Sequence, residues 1–252
     1  MYKPFVTPQQ SHAHSLQTLN LLYEYDDFME SVGSVVDMGC GHHGLDLEWW
    51  ATRTVRDDTQ EPLNIKCTGV DRCESVPVAK QYKNVVFLNR DCETFADDKQ
   101  YDVLWCHDVF QYMTHPLGTL HNWWHKISPG GMIVLIFPQT TNIEYHVQAY
   151  DQWSGCYHNH TVVSIIHQLA VSGFDCASGF FKKLPDDPWI YAIAYKSSHT
   201  PMKPANTAWH DLAEKNLLPD SAVKSLDRYG HVRQRDLVLP WLDKSLTWLG
   251  SH

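Results

Sequence analysis

Residues 35–51 read VVDMGCGHHGLDLEWWA, and this stretch decides how the chain folds. An apolar run reaches Asp37, glycines follow in the order G-x-G-x-x-G at positions 39, 41 and 44, and a Leu- and Trp-rich helical pattern begins after them. A strand that turns through glycines into a helix brings its backbone close to a ligand, because a Cβ atom would block the turn or the ligand. The spacing alone also fits a dinucleotide site.

Short apolar runs alternate with helical patterns on both sides of this stretch. Such alternation predicts parallel β-α units with right-handed crossovers. Two further runs late in the chain are joined by KKLPDDP, which suits a turn and predicts an antiparallel pair at the sheet edge. The predicted strands cover residues 32–38, 65–70, 85–88, 101–106, 132–137, 174–181 and 189–195, and the predicted helices include residues 45–54, 117–126 and 161–172.

The predicted fold class is therefore α/β: a Rossmann-like, seven-stranded, mostly parallel sheet with an antiparallel terminal strand, plus a C-terminal helical extension. We place the domain at residues 1–198 and the mostly helical extension at 199–252, after a Pro-containing linker. Ser15 is predicted to cap a helix that begins at Leu16. The Ser-Pro-Gly-Gly sequence at 128–131 is predicted to form a turn before the fifth strand.

Composition narrows the class of protein. No segment reaches the roughly 18 to 20 apolar residues that span a bilayer, and the N-terminus lacks the apolar region of a signal peptide. The seven cysteines are scattered without a C-x-x-C pair, which predicts reduced thiols and a cytoplasmic location. H-x-H occurs at 12–14 and 158–160 without a third ligand at metal spacing, so we predict no metal site.

Net charge argues against a nucleic-acid partner. The formal charge is −9, and the first 199 residues hold 13 Lys and Arg against 23 Asp and Glu. Residues 200–252 hold seven and six, and they include a modest basic cluster. Non-specific nucleic-acid binding needs a larger basic footprint. We interpret the cluster as a solvated face or a homodimer contact through the extension.

Acidic residues recur where the predicted strands end. Asp37 ends the first strand run, Asp71 follows the second strand and Asp91 lies just past the third. In an open parallel sheet, ligands bind outside the carboxyl ends of the strands. Three acids disfavour a polyphosphate and favour a ligand with hydroxyls, an amine and a positive charge. Asp71 is placed to accept two hydrogen bonds from a ribose diol.

At this point the sequence resembles the class I S-adenosylmethionine-dependent methyltransferases, and particularly their small-molecule type, over residues 15–196. DMGCGHHG (37–44) resembles the first motif of that family, GVD (69–71) the second and NRDCETF (89–95) the third. LWCHDVFQYMTHP (104–116) resembles the segment after strand four, and SPGG the turn before strand five. The order of these motifs favours this family. A nicotinamide-binding oxidoreductase remains an alternative.

The resemblance implies S-adenosylmethionine as cofactor and a role for each matching position. Asp37 would approach the methionyl amine, Asp71 would bind the ribose hydroxyls, and Asp91 would accept a hydrogen bond from the adenine amine. His107 would lie at the reaction centre as a tentative catalytic base. The full set of implied cofactor-binding residues is Asp37, Gly39, Cys40, Gly41, His42, Asp71, Arg72, Asp91, Cys92, Cys106 and His107.

Two departures from the family pattern bear on activity. His43 occupies the position of the usual third glycine, and Gly44 follows it. From Asp37 to Asp71 is 34 positions (71 − 37), where about 20 is common, and the excess lies in the loop at 55–64. The loop could alter one wall of the cleft. Because the turn is reshaped, a second hypothesis stays open: a structural or interaction protein that binds the cofactor but is catalytically inactive.

The methyl acceptor is predicted to be a small molecule. Strand four ends in CHDV, which lacks the Asn/Asp-Pro-Pro-Tyr/Phe tetrad of amino-group nucleic-acid methyltransferases, and Pro138 is followed by Gln139, not the Cys of a cytosine-C5 enzyme. An aromatic segment after strand five suits a small organic ligand. Methylation of a protein or nucleic-acid end is the alternative. The tentative substrate residues are Tyr112, Tyr145, His146, Trp153 and Tyr157.

Overall fold

A computed structural model of the chain describes residues 8–24, 26–55, 60–138, 158, 160–183, 189–204, 207–243 and 248–249. The strands of its main sheet are β1 (Ser34–Met38), β2 (Lys66–Asp71), β3 (Val85–Asn89), β4 (Tyr101–His107), β5 (Ile127–Pro138), β6 (Phe174–Lys183) and β7 (Trp189–Lys196). Two short strands, β8 (Val238–Leu239) and β9 (Trp248–Leu249), form a separate antiparallel pair.

Helices connect and cover these strands. They are α1 (Pro8–Tyr23), α2 (Asp26–Ser31), α3 (Leu45–Ala51), α4 (Pro77–Gln81), α5 (Pro116–His125), α6 (Val162–Val171), α7 (Trp209–Glu214) and α8 (Asp220–Tyr229), with single 3₁₀ turns at Phe110–Tyr112 and Gln234–Asp236. None of these described helices combines the length and the apolar character that crossing a bilayer requires.

The main sheet has the order β3-β2-β1-β4-β5-β7-β6. Strands β1 to β5 run parallel, and β7 is antiparallel to both of its neighbours. From β1 the chain moves outward to β2 and β3 and then returns to the other side of β1 as β4. The carboxyl ends of β1 and β4 therefore form the switch point at which open α/β sheets bind ligands. The predicted fold class is confirmed, with β7 inserted between β5 and β6.

Both faces of the sheet are covered, which explains why its strands are nearly continuous apolar runs. Along β1, Val36 and Met38 pack into the core on one face, and Val35 packs into the core on the other. On the second face, Trp50 of α3 is fully buried against Trp105 of β4. The tryptophans that follow the glycine turn are therefore core residues.

Two local predictions were wrong for identifiable reasons. Ser15 lies inside α1, which begins at Pro8, and its hydroxyl oxygen lies 2.6 Å from a buried carboxylate oxygen and 2.9 Å from the His12 carbonyl oxygen. The sequence at 128–131 belongs to β5, which lengthens across a register shift opposite Tyr101 and Val103. Gly131 allows this bulge because a Cβ there would lie 2.7 Å from the Asp102 carbonyl oxygen.

The C-terminal residues cover the outer edge of the sheet. The backbone N–H of Cys176 in β6 donates to the Leu217 carbonyl, and that of Phe181 donates to the Pro240 carbonyl. An edge strand with unpaired backbone groups invites aggregation, and these bonds satisfy part of that edge. Leu212 and Leu239 join the core of the main domain. The boundary at residue 198 stays a prediction.

Candidate active site

Two adjoining cavities lie at the switch point of the sheet. The first has a volume of about 330 Å³ and the second about 180 Å³. They share Gly39, Asp71 and Val109, so together they form one elongated cleft. The first is otherwise lined by His12, Asp37, Cys40, Gly41, His42, His43, Gly44, Leu45, Asp46, His107 and Asp108. The second is otherwise lined by Arg72, Asp91, Cys92, Glu93, Tyr112 and Met113.

The glycine turn leads into α3 through Gly44 despite the extra histidine. Gly44 adopts the left-handed conformation (φ +63°) at the N-terminus of α3, and a Cβ on it would lie 2.5 Å from Val76 Cγ1. His43 is exposed and lines the first cavity. The third glycine has therefore moved by one residue without losing its packing role. Among the described residues of the long 55–64 loop, none lines either cavity.

Asp71 joins the end of β2 to the glycine turn. Its carboxylate accepts hydrogen bonds from the backbone N–H groups of Gly41, at 3.0 Å, and Cys73, at 2.9 Å. Each carboxylate oxygen has two lone pairs, so these bonds leave acceptor capacity. Asp71 borders both cavities. A ligand that extends through the cleft must therefore pass this carboxylate.

Asp37 is a buried acid next to two other acids. Its side chain is 2% exposed at the end of β1. Burial raises the pKa of this carboxyl well above its ordinary value, and the negative charges of Asp46 and Asp71 raise it further. A cation that entered the first cavity would relieve this repulsion and favour the ionised form. The first cavity is therefore suited to a positively charged ligand.

Arg72 and Asp91 form an ion pair at the second cavity. Asp91 also accepts from the backbone N–H of Glu93, at 2.8 Å, so it caps the following turn. Partial burial opposes ionisation of Asp91, but the hydrogen bonds from Arg72 and Glu93 outweigh it and lower the pKa of the carboxyl. Asp91 thus both caps a turn and forms part of the wall of the cleft.

His107 and Asp46 form a buried histidine–carboxylate pair in the first cavity. His107 Nδ1 lies 3.1 Å from Asp46 Oδ2, and each side chain is 8% exposed. Burial alone would raise the pKa of Asp46, but the charge and hydrogen bond of His107, with hydrogen bonds from His12 and Ser15, hold it well below its ordinary value. The pair therefore contains an ionised carboxylate beside an imidazole.

Sequence reasoning missed Asp46, His12 and Asp108. Asp46 is an acid within the apolar stripe LDLEWW, and an acid at a buried helical position is the signal that could have identified it. His12 comes from α1, and no sequence pattern connects α1 to this cavity. Asp108 adopts the left-handed conformation (φ +57°) directly after β4, a backbone strain that no local pattern reveals.

The predicted cysteines are distributed among different environments. Cys40 lines the first cavity and Cys92 the second. Burial is the main cause that raises the pKa of both thiols, so they stay protonated. The side chain of Cys106 is fully buried in the core and lines neither cavity, because alternation along β4 points it away from the face that carries His107. A side-chain contact of Cys106 with a ligand in the cleft is therefore not supported.

The tentative substrate residues fall into two groups. Tyr112 lines the second cavity. Glu93, which lines the same cavity, accepts hydrogen bonds from the backbone N–H groups of Thr114 and His115 and so fixes the loop after Tyr112. Tyr145, His146, Trp153 and Tyr157 lie outside the described residues. His160 is described and buried against Phe110 and Phe137. In the part of the chain that is described, no group of His, Cys, Asp and Glu is arranged to hold a metal ion.

Comparison with known proteins gives the class. A family model described as a methyltransferase domain matches residues 14–173, and no curated protein sequence matches the chain. A chain of the complex between the Haloferax volcanii Trm112 methyltransferase activator and a methyltransferase is 16% identical, with a TM-score of 0.56 over 76% of this chain and 92% of that one.

Two solved structures with bound cofactor or product have the same fold. N-methyltransferase NodS from Bradyrhizobium japonicum, in complex with S-adenosyl-L-homocysteine, is 15% identical with a TM-score of 0.52, over 76% of this chain and 89% of that one. Human N-acetylserotonin methyltransferase, in complex with S-adenosylmethionine, is 18% identical with a TM-score of 0.52, over 72% of this chain and 52% of that one. These identities support likeness of fold alone.

The family match covers more than half of the chain, from α1 to the start of β6. The chain belongs to this methyltransferase-domain family, and its sheet order is that of a class I, S-adenosylmethionine-dependent methyltransferase. The cleft described above lies at the switch point of this sheet, where open α/β sheets bind ligands.

Proposed function

We propose that this protein transfers a methyl group from S-adenosylmethionine to a small organic acceptor by in-line displacement. The observation that carries the proposal is the acid-lined cleft with the His107–Asp46 pair at one end. The sulfonium of the donor supplies the activation of the methyl group. The residues of the chain must orient the acceptor, exclude water and accept a proton.

The residues of the cleft fit the donor along its length. In the proposed arrangement, Asp71 at the junction of the cavities binds the ribose hydroxyls, and Asp37 in the first cavity binds the methionyl amine. Asp91 and Cys92 in the second cavity, with Arg72, surround the adenine. The glycine turn, with Cys40 and His42, lines the methionyl and ribose portions. The buried acid with a raised pKa supports this polarity, because it favours a cationic group at that end.

His107 is the proposed base for an acceptor that must lose a proton. The contact with Asp46 engages Nδ1, so proton acceptance would use Nε2. The ionised Asp46 would stabilise the imidazolium that forms. The proximity of an imidazole to a low-pKa carboxylate in a ligand-sized cavity favours a role in chemistry over a loop residue that only binds backbone.

The nature of the acceptor is the finer part of the proposal. The first cavity, at about 330 Å³, has the size of a small-molecule site, and the overall charge of −9 disfavours nucleic acid. The alternative of a cofactor-binding but inactive protein was based on the altered glycine turn. The left-handed conformation of Gly44 gives a structural explanation for that turn. The Haloferax neighbour is a structure of a complex with an activator protein, so a protein partner is the second candidate interaction. A cytoplasmic location remains a prediction from the cysteine pattern.

A labelling experiment tests the proposal. The purified protein is incubated with methyl-labelled S-adenosylmethionine and a cell extract, and label is counted in the small-molecule, protein and nucleic-acid fractions. We expect label in the small-molecule fraction, and at least about tenfold less there with the Asp71→Asn variant at a subsaturating concentration of S-adenosylmethionine. Label only in protein or nucleic acid would contradict the small-molecule acceptor. No label in any fraction, with the cofactor bound, would contradict the catalytic role.

A further inference from the structure

Four side chains surround the Asp46 carboxylate at the first cavity. Its Oδ1 accepts from Ser15 Oγ at 2.6 Å and lies 2.6 Å from His12 Nδ1, while its Oδ2 accepts from Trp105 Nε1 at 2.9 Å and lies 3.1 Å from His107 Nδ1. Four partners from α1 and β4 converge on one carboxylate that is 7% exposed. A buried carboxylate with this many donors is ionised and fixed in orientation.

The partners belong to two elements that are distant in sequence. His12 and Ser15 come from the N-terminal helix α1, whereas Trp105 and His107 come from β4. Asp46 itself lies in the first turn of α3, directly after the glycine turn. One carboxylate therefore connects the glycine turn, the helix that borders the cavity and the proposed catalytic histidine.

A second contact path joins α1 to His107. The ring of His14 stacks on Trp189 with centroids 4.4 Å apart, and the Trp189 ring lies 5.6 Å from that of His107. The two histidines of the H-x-H sequence in α1 thus reach His107 by separate routes, one through Asp46 and one through Trp189. His12 itself lines the first cavity.

We propose that Asp46 is a positioning residue that performs two tasks with one carboxylate. It fixes His107 in the tautomer with the proton on Nδ1, and it holds α1 over the first cavity through His12 and Ser15. The inference rests on the proposed function, in which His107 accepts a proton at Nε2. Docking of α1 and orientation of the base then depend on the same ionised group.

Asparagine at this position cannot replace the carboxylate. Its amide has one acceptor oxygen, and its NH₂ group would face donors such as the Trp105 indole N–H. We therefore expect Asp46→Asn to lose the interaction with at least one of the two elements. Asp102 provides a matched control, because it is a carboxylate on the same strand as His107 and it accepts from the backbone N–H groups of Gly33 and Ser34.

The test uses the full chain and needs neither cofactor nor acceptor. The ¹⁵N shifts of the His107 imidazole, assigned by their loss in His107→Gln, report the tautomer, and amide hydrogen exchange reports protection of α1. We expect the Nδ1–H tautomer in the wild type and in Asp102→Asn. In Asp46→Asn that preference is lost, and exchange in α1 rises by about tenfold or more.

Retention of both the tautomer and the α1 protection in Asp46→Asn would overturn the inference, as would equal loss of both in Asp102→Asn. If Asp46→Asn does not fold, His12→Ala is the second variant. It should raise exchange in α1 while His107 keeps its tautomer, and unchanged exchange would overturn the link to α1. Failure of the wild type to bind S-adenosyl-L-homocysteine would instead contradict the proposed function and leave these results interpretable.

Discussion

The Asp71 carboxylate at the end of β2 accepts the backbone N–H of Gly41 in the turn after β1, at 3.0 Å. This bond connects the acid at the end of β2 to the middle glycine of the turn that follows β1. It also lies at the junction of the two cavities, since Asp71 borders both. The relationship explains how an acid and a glycine that are 30 residues apart come to line the same cleft.

Two glycines of the turn should differ in what they contribute. Gly41 and Gly44 have similar positive φ values, +67° and +63°, but only a Cβ at Gly44 meets a neighbour, Val76. The left-handed conformation costs an alanine about 1–2 kcal/mol, and overpacking adds about 1–3 kcal/mol. We expect Gly44→Ala to lower the free energy of unfolding by about 2–5 kcal/mol and Gly41→Ala by about 1–2 kcal/mol.

Chemical denaturation of the two variants measures this difference. A Cβ at Gly41 meets no protein atom within 4 Å, and Gly41 lines the first cavity. Because the added methyl group would occupy ligand space, Gly41→Ala should weaken binding of S-adenosyl-L-homocysteine by about tenfold. Equal destabilisation by both substitutions would show that the contact of Gly44 with Val76 does not constrain the turn.

Asp37 should release a proton when a cationic cofactor binds. Its pKa is raised by burial and by neighbouring acids, and the methionyl ammonium and the sulfonium favour its ionised form. Calorimetric titration with S-adenosylmethionine in buffers of different ionisation enthalpy should therefore show proton release, and Asp37→Asn should lose this release. Identical proton release by the wild type and the variant would contradict the assignment.

The same group should destabilise the ligand-free protein as pH rises. Above its ordinary pKa of 3.8 the unfolded chain loses the Asp37 proton, while the folded chain keeps it up to a higher pH. Stability from this group is complete below that value and declines as pH rises through the folded pKa. Relative to Asp37→Asn, the wild type should lose stability in denaturation experiments as pH rises above 3.8. A constant difference between the two proteins would contradict the raised pKa.

His160 should make the fold sensitive to acid. Burial lowers its pKa from 6.5 to about 4, and neither ring nitrogen has a hydrogen-bond partner among the described residues. As pH falls from 6.5 towards 4, the unfolded chain binds a proton that the folded chain does not, so about 3 kcal/mol of stability is lost. His160→Leu should lack this part of the pH dependence.

Urea denaturation of His160→Leu at pH 7.5 and pH 5 measures this effect, with the exposed His210→Leu as the matched control. We expect the stability difference between the two pH values to shrink in the first variant and to persist in the second. An equal decrease in the wild type and His160→Leu would contradict the neutral, buried state of this histidine.

His107 should affect turnover more than cofactor binding. Removal of a general base typically costs about 10²–10⁴ in rate. With the acceptor-containing fraction of an extract, His107→Gln should lower kcat by about 10²-fold and change the affinity for S-adenosyl-L-homocysteine by less than about threefold. The exposed His125→Gln is the control. Turnover of His107→Gln equal to wild type at every pH would remove the base role.

Much of the fold could be predicted from period and turn chemistry. Each buried strand is an apolar run bounded by polar residues. The glycines after β1 indicate a tight strand-to-helix turn, whichever ligand it approaches. Where prediction failed, the deciding contacts were distant in sequence. Ser15 looks like a helix cap, but its hydroxyl binds Asp46, which is 31 residues away. Gly131 looks like a turn residue, but the approach of the Asp102 carbonyl makes it part of a bulged strand.

The site was predictable to the extent that the strand ends determine it. Asp37 and Asp71 lie at the carboxyl ends of β1 and β2, and Asp91 lies just past β3. Parallel strands bring their carboxyl ends together. Cys106 and His107 are adjacent in sequence, yet alternation along β4 sends one into the core and the other to the cleft. Asp46 and His12 were missed because their roles depend on the docking of α1, which no local pattern specifies.

The central claim is that the cleft is a cofactor site organised on Asp71. Its most direct test is calorimetric titration of the full chain with S-adenosyl-L-homocysteine, comparing the wild type, Asp71→Asn and the exposed control Glu74→Gln. A charged hydrogen bond is worth about 1.5–3 kcal/mol. We predict one molecule bound per chain, an affinity at least about tenfold weaker in Asp71→Asn, and no change in Glu74→Gln. Absence of binding by the wild type, or equal affinity of the wild type and Asp71→Asn, would contradict the claim.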